Sequence, residues 1–442
     1  MVGFQGRRKA LTVVAAGLLA AVAVPSLAGA SDGEGLQAAF SNGHARNVIL
    51  LIGDGMGDSE ITIARNYAKG AAGRLAMDTL GFTGAYTTYA VSKDDPSKPD
   101  YVTDSAASGT GWATGHKSYN GAISVTPDGT PQATLLELAK KSGYRTGSVT
   151  TAELTDATPA VLAAHVTDRS CQGPADMANC PANDKAKGGA GSIAEQEVAT
   201  GADLYLGGGK ARFDQTVTGG GTVIDQAKQA GYTVVTDQAG LAAARPGAKL
   251  LGLFAAGNMT QEWTGPLAKV GGTEPSKCQP NAAFSGPHLS DMAGKAISLL
   301  DSRRGGKGFF LQIEGASIDK RDHSADPCGQ IGENVEFDKA VQAALDFARR
   351  DRNTLVVVTA DHGHTSQIIP LDAKSPGQTA TLVTADNAPM KINYATNAPG
   401  SSQEHTGTQV RIAAEGPQAA RVLGVTDQTD LFSTVSRALR LR

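Results

Sequence analysis

The sequence predicts a three-layer α/β/α sandwich built on a large, mostly parallel central sheet, and three observations predict it. Short apolar runs recur along the chain, each bounded by Gly or Asp: Val48 to Ile52, Thr146 to Thr150, Phe309 to Ile313 and Leu355 to Thr359. Runs this short, with little polar alternation, read as strands buried on both faces, as in parallel sheets. Between them lie amphipathic stretches such as Glu333 to Arg350, where Val335, Ala340, Val341, Ala344, Leu345 and Ala348 fall at helical spacing. Strand and helix therefore alternate, and helices cover both faces. The composition agrees, with 54 glycines, 5% aromatic and 40% hydrophobic residues in 442, as expected of a globular chain with many tight strand-to-helix turns.

The N-terminal segment differs in kind. Arg7, Arg8 and Lys9 precede an apolar run from Ala10 to Val24, followed by Pro25 and the small triplet Ala28-Gly29-Ala30. This is the pattern of a secretory signal peptide cleaved after Ala30. The run is shorter than the roughly 20 residues of a spanning helix, so no membrane anchor is expected after cleavage. The expected organisation is residues 1–30 as signal, 31–46 as a short arm and 47–442 as one domain, in a secreted or periplasmic protein. Cleavage removes the three cations Arg7, Arg8 and Lys9 and no acid, taking the formal charge from −3 to −6. That balance speaks against a nucleic-acid-binding surface. Cys171, Cys180, Cys278 and Cys328 read as two disulfides in an exported chain. Of three connectivities, Cys171 with Cys180 and Cys278 with Cys328 closes the smaller loops. No C-x-x-C pair occurs to suggest a cysteine zinc site.

In open α/β sheets ligands bind beyond the carboxyl ends of the strands. Taken in chain order, those ends are acidic. Asp54 follows the first run, Asp156 and Thr158 lie beyond the second, Glu314 follows the third, and Asp361 with His362 follow the last. Each alone would be an ordinary turn or cap acid. Together on one sheet edge they would repel, and a cluster of cations is the simplest remedy.

Histidine placement agrees. Asp319 and His323 are four apart, on one face of a predicted helix, which suits a shared metal. His362 and His364 follow Asp361, and His405 lies in Gln403-Glu404-His405-Thr406-Gly407. Imidazole with carboxylate is a zinc donor set. His44, His116, His165 and His288 lack such company and read as structural. Ser105, in Thr103-Asp104-Ser105-Ala106-Ala107-Ser108, opens a predicted helix, where backbone N–H groups favour an anion. No G-x-S-x-G elbow exists, so a nucleophilic Ser105 would need activation by a metal. Two phosphate-loop lookalikes are read as turns. Gly53-Asp54-Gly55-Met56-Gly57 has Asp58 where a third glycine is required, and Gly207-Gly208-Gly209-Lys210 is followed by Ala211 rather than Ser or Thr.

The segments NVILLIGDGMGDSEIT, DYVTDSAASGTGWATG, TAELTDATPA, EGASIDKRDHSADPCGQIGE, TLVVVTADHGH and QEHTGTQVRIAA carry a family signature. From about Asn47 to Leu441 the chain resembles the periplasmic alkaline phosphatases of enteric bacteria. The resemblance implies hydrolysis of small phosphate monoesters through a phosphoserine at Ser105, with two zinc ions and one magnesium ion. Asp319, His323 and His405 would hold the first zinc; Asp54, Asp361 and His362 would hold the second. Asp54 would also reach the magnesium, with Thr158, Glu314 and waters oriented by Asp156. Arg169 would clamp phosphate oxygens, Lys320 would reach phosphate through water, and His364 would support the metal ligands from behind. A homodimer is implied, although Ser31 to Arg46 form a shorter arm than that of the enteric enzymes. Ser105 is followed by Ala106-Ala107-Ser108, not by the C/S-x-P-x-R setting of sulfatases.

Overall fold

The computed structural model describes residues 33–40, 43–301 and 305–441; the predicted signal, 1–30, lies outside them. Ten strands form the main sheet: β1 (Asn47–Gly53), β2 (Phe82–Thr87), β3 (Arg145–Glu153), β4 (Leu204–Gly208), β5 (Tyr232–Val235), β6 (Lys249–Leu253), β7 (Phe309–Gly315), β8 (Thr354–Ala360), β9 (Val410–Glu415) and β10 (Gly424–Asp427). Their order is β10-β2-β9-β8-β1-β7-β3-β4-β6-β5. Only β9 runs against the rest, being antiparallel to both β8 and β2. The four apolar runs read from the sequence are β1, β3, β7 and β8, four adjacent strands at the centre of the sheet. Every residue of β1, β7 and β8 is buried, which is why those runs show no alternation.

Helices cover both faces. Those used below are α1 (Gly33–Phe40), α2 (Asp58–Lys69), α3 (Ser105–Thr114), α4 (Ala157–Ala160), α5 (Ile193–Thr200), α6 (Leu289–Leu300), α7 (Ser317–His323), α8 (Pro327–Asp351) and α9 (Asp430–Leu439). On one face α8 packs against α2, α6, β1, β7 and β8; on the other α9 packs against α3 and β1. The three-layer sandwich is therefore as expected. The amphipathic stretch read at 333–350 is the body of α8. This helix begins at a Pro behind the Asp326 cap, whose side chain accepts from Gly329 N at 2.9 Å, a start that suits Pro because its missing N–H is not needed there. In the 31–46 segment, α1 lies against its own chain, with Ala38 O accepting from Gln418 N.

One feature goes beyond the sequence reading. A second sheet of short strands, including Gln378–Val383 and Pro389–Tyr394, packs around Leu382, Ile392 and Tyr394 and shares its small core with Ile63 and Ile331 of the main body. Its two named strands carry Gln378, Thr379 and Thr381, and Lys391 and Asn393, so they do not stand out as apolar runs. The disulfides are as expected: Cys171 with Cys180, and Cys278 with Cys328, which pins the 278 loop to the start of α8. Among the described residues no helix is long and apolar enough to cross a membrane.

Candidate active site

The carboxyl ends of the four central strands bring the predicted residues together. Asp54 leaves β1 and enters a turn at Gly55, whose φ of 67° belongs to the left-handed region. A Cβ on Gly55 would lie 3.1 Å from Asp319 Cα, so glycine is needed here for both conformation and space. Gly55 N donates to Asp361 Oδ1 at 2.8 Å, and Asp319 N donates to Asp54 O at 3.0 Å. The turns after β1, β7 and β8 are thus tied to one another before any side-chain donor is counted.

Two donor groups result. In the first, Asp319 Oδ1 lies 3.3 Å from His323 Nε2 and 3.1 Å from His405 Nε2 and from His364 Nε2. The Nε2 atoms of His323 and His405 face each other at 3.2 Å. The spacing of Asp319 and His323 does place both on one face of α7. His405 arrives from the loop before β9, with its Nδ1 3.1 Å from Thr103 O. His364, expected to support the metal ligands from behind, directs Nε2 into this group. In the second group, His362 Nε2 is 3.3 Å from Asp361 Oδ2 and 3.5 Å from Asp54 Oδ1. Ser105 Oγ stands 3.4 Å from the same nitrogen. Ser105 is the first residue of α3, as read, and Asp104 caps that helix by accepting from Ala107 N at 2.9 Å.

Beside the second group lie the oxygen donors. Thr158 sits in α4, capped by Asp156, and Glu314 Oε2 accepts from Thr150 Oγ1 at 2.5 Å. Asp156 accepts from Lys320 Nζ at 2.8 Å on one oxygen and from Arg169 Nη2 at 2.8 Å on the other. Arg169 also reaches Asp104 Oδ2 through Nη1 at 3.1 Å. Burial acts to raise Asp156, but Lys320 and Arg169 overcome it and hold the carboxyl well below its usual range. A cavity of about 320 Å³ opens above Ser105, Arg169, Asp319, His323 and His405.

The residues fit metal ions by their unmet valence. Asp54 Oδ1, Thr158 Oγ1, Asp319 Oδ1, Asp361 Oδ2 and His364 Nε2 are all buried without a well-angled hydrogen bond, and such orphans are costly. Burial, then the charges of Asp319, Asp361 and Glu314, push Asp54 far above an ordinary carboxyl. Burial likewise lifts Glu314 to about 8 and Asp361 to about 6. A site of this kind is stable in its charged form only with cations in it. Both donor groups combine imidazole with carboxylate, as zinc prefers, whereas Thr158 and Glu314 offer hard oxygen, as magnesium prefers.

The sequence reading gave no role to Asp104, which both caps α3 and holds Arg169. Its signal was an Asp directly before a helix of small residues. Nor did it give company to His288, whose Nδ1 lies 2.9 Å from Glu262 Oε1 near Glu336. There each group is already engaged, Glu336 by Ser290 and Lys339.

The sequence model of the family "Alkaline phosphatase" matches residues 45–391 and 372–441. Streptomycin-6-phosphate phosphatase of Streptomyces griseus is 56% identical, over 97% of either chain. Alkaline phosphatase of Escherichia coli is 54% identical over 92% of this chain and 88% of its own. Among solved structures, alkaline phosphatase of the Antarctic bacterium TAB5 superposes with a TM-score of 0.69 at 25% identity, covering 90% of this chain and 99% of its own. A variant of that enzyme with a histidine changed to aspartate was solved with magnesium in a site designated M3. With the family pattern spanning nearly all of the sandwich, the chain belongs to the alkaline phosphatase family and is an enzyme that hydrolyses phosphate monoesters.

Proposed function

We propose that hydrolysis proceeds through a phosphoserine at Ser105, in a site whose resident cofactors are two zinc ions and one magnesium ion. The observation that carries this reading is the position of Ser105 Oγ, at a helix N-terminus and 3.4 Å from His362 Nε2, beside buried acceptors without a well-angled hydrogen bond. Asp319, His323 and His405 would hold one zinc, and Asp54, Asp361 and His362 the other. Asp54, Thr158 and Glu314 would hold magnesium, with Asp156 orienting its waters; the magnesium-bearing TAB5 variant supports a hard-metal third site. When bound, these ions neutralise charge on the nonbridging oxygens and stabilise both the entering and the departing oxygen.

The chain's own groups do the rest. Arg169 is fixed on two carboxylates, so its planar fork is preset for two phosphate oxygens. Lys320, raised against burial by Asp156, Asp54 and Asp319, stays charged and can reach phosphate through water. Ser105 reacts as the alkoxide: its oxygen bonds to phosphorus, the bond from phosphorus to the leaving oxygen breaks, and the proton given up by Ser105 is balanced by one taken up by the departing alcohol. Water then attacks phosphorus of the phosphoserine, the bond from phosphorus to Ser105 Oγ breaks, a proton from that water returns to Ser105, and inorganic phosphate leaves with net retention. The protein acts after export, which the 1–30 segment and two disulfides support, and as a homodimer, which the resemblance to the enteric enzymes implies. Rapid quench with a 32P-labelled monoester should trap label on Ser105 and none on Ser105→Ala, which should retain its metals. Full turnover by Ser105→Ala would overturn the assignment.

A further inference from the structure

The candidate nucleophile and the Asp361–His362 pair must be held at a fixed separation, yet no strand ladder joins them. Ser105 opens α3, in the layer over one face, whereas Asp361 and His362 follow the end of β8 in the sheet itself. The link is made by side chains. Ser108, three residues into α3 and therefore near the face of Ser105, donates its hydroxyl to Asp361 O at 2.8 Å. Gln428, between β10 and α9, donates Nε2–H to Ser108 Oγ at 2.6 Å and to Asp361 O at 2.9 Å. Tyr86 of β2 donates to the preceding carbonyl, Ala360 O. Both carbonyls before His362 are thus occupied, and Ser108, Gln428, Tyr86 and Asp361 are each 1% exposed or less.

One detail separates this arrangement from ordinary core packing. Gln428 Oε1 is buried with no hydrogen-bond partner. Such an orphan is costly, and a leucine of similar volume would leave none. An amide whose two N–H bonds are both spent on the nucleophile helix and the ligand turn, while its carbonyl is left unmatched, is placed for alignment rather than stability.

We infer that Ser108 and Gln428 form a buckle that sets the position of Ser105 relative to Asp361 and His362, acting as positioning residues that touch neither substrate nor metal. The inference rests on the reading of Ser105 as nucleophile and of Asp361 and His362 as metal ligands. Displacements of about 1 Å in such a site cost on the order of 100-fold in rate, and the buckle's hydrogen bonds control displacements of that size.

The test compares holoenzyme of the wild type with Ser108→Ala, Ser108→Thr, Gln428→Leu and the Ser108→Ala/Gln428→Leu double variant. Phosphoserine formation in rapid quench, kcat and KM, zinc content and thermal midpoint are measured for each. Ser108→Ala and Gln428→Leu should slow phosphoserine formation about 10- to 100-fold with KM within about threefold. The double variant should be no slower than the slower single one, because the two act as a unit. Ser108→Thr, which keeps the hydroxyl, should recover most of the rate, and Gln428→Leu should melt no lower than the wild type. Phosphoserine formation at the wild-type rate in both single variants would overturn the inference alone. A loss of rate that tracks a lowered midpoint and lost zinc, with no recovery in Ser108→Thr, would overturn it also, by making the role structural. Absence of label on Ser105 in the wild type would instead remove the reading on which it rests.

Discussion

Asp156 carries several loads at once, because its two oxygens hold Lys320 and Arg169 at 2.8 Å each while it caps the helix that bears Thr158. Replacing it by His should release both cations and offer nitrogen to a site otherwise made of oxygen. Asp156→His should therefore admit zinc at the third site, lower the activity as isolated, and make that activity recover slowly in excess magnesium. Metal content and the time course of magnesium activation check this; an unchanged third-site preference would place Asp156 elsewhere in function. At this scale the sequence was legible where residue type and spacing coincide, as in Asp319 with His323 or the Asp361–His362 pair. It was legible only by family resemblance for Arg169, whose side chain is chemically unremarkable in the linear chain, whereas Thr158 was found by its place beyond a strand end. Ser108 and Gln428 left no signal, because hydrogen bonds between residues 320 positions apart have no local pattern.

Elements tell a parallel story. The four central strands announced themselves through length and uninterrupted burial, and α8 through its periodicity. Helix α5 hides a polar residue inside the same logic: Glu197 is fully buried and neither carboxyl oxygen has a partner. Burial holds its pKa far above the ordinary carboxyl value. A carboxyl raised on folding contributes its full share of stability below its unfolded pKa, and that share is lost as pH rises toward the folded value. Glu197→Gln should thus gain on the wild type by about 1.4 kcal/mol for each pH unit above roughly 4.3, until the folded pKa is reached. Urea denaturation of both proteins at pH 5, 6 and 7 measures the difference; a constant gap would mean that Glu197 is charged and solvated in the folded state.

For the whole molecule, the acids at the sheet's carboxyl edge couple cation binding to stability. With metals removed by chelation, Glu314 at about 8, Asp361 at about 6 and His405 at about 9 all have folded values above their ordinary ones. Each then loses stabilising effect as pH rises, while burial lowers His362 and His364 and makes them act the other way below about pH 6.5, so the chelated protein should melt progressively lower between about pH 6.5 and 9. Restoring zinc and magnesium should raise the midpoint most at the alkaline end, since the ions favour the deprotonated ligands. Calorimetry with and without chelator checks it, and pH-independent melting of the chelated form would contradict it. The architecture was readable from the alternation of runs, but the strand order was not, because periodicity says which segments are strands and nothing about which ones meet. That order has its own consequence in time. Asn47 of β1 bonds to Phe309 and Thr354, partners 262 and 307 residues further along. As the chain is synthesised, Val48–Ile52 therefore emerges long before either neighbour exists to cover it. The first strand must wait, apolar and unpaired, which makes the nascent protein slow to fold and prone to stick until the last central strand arrives.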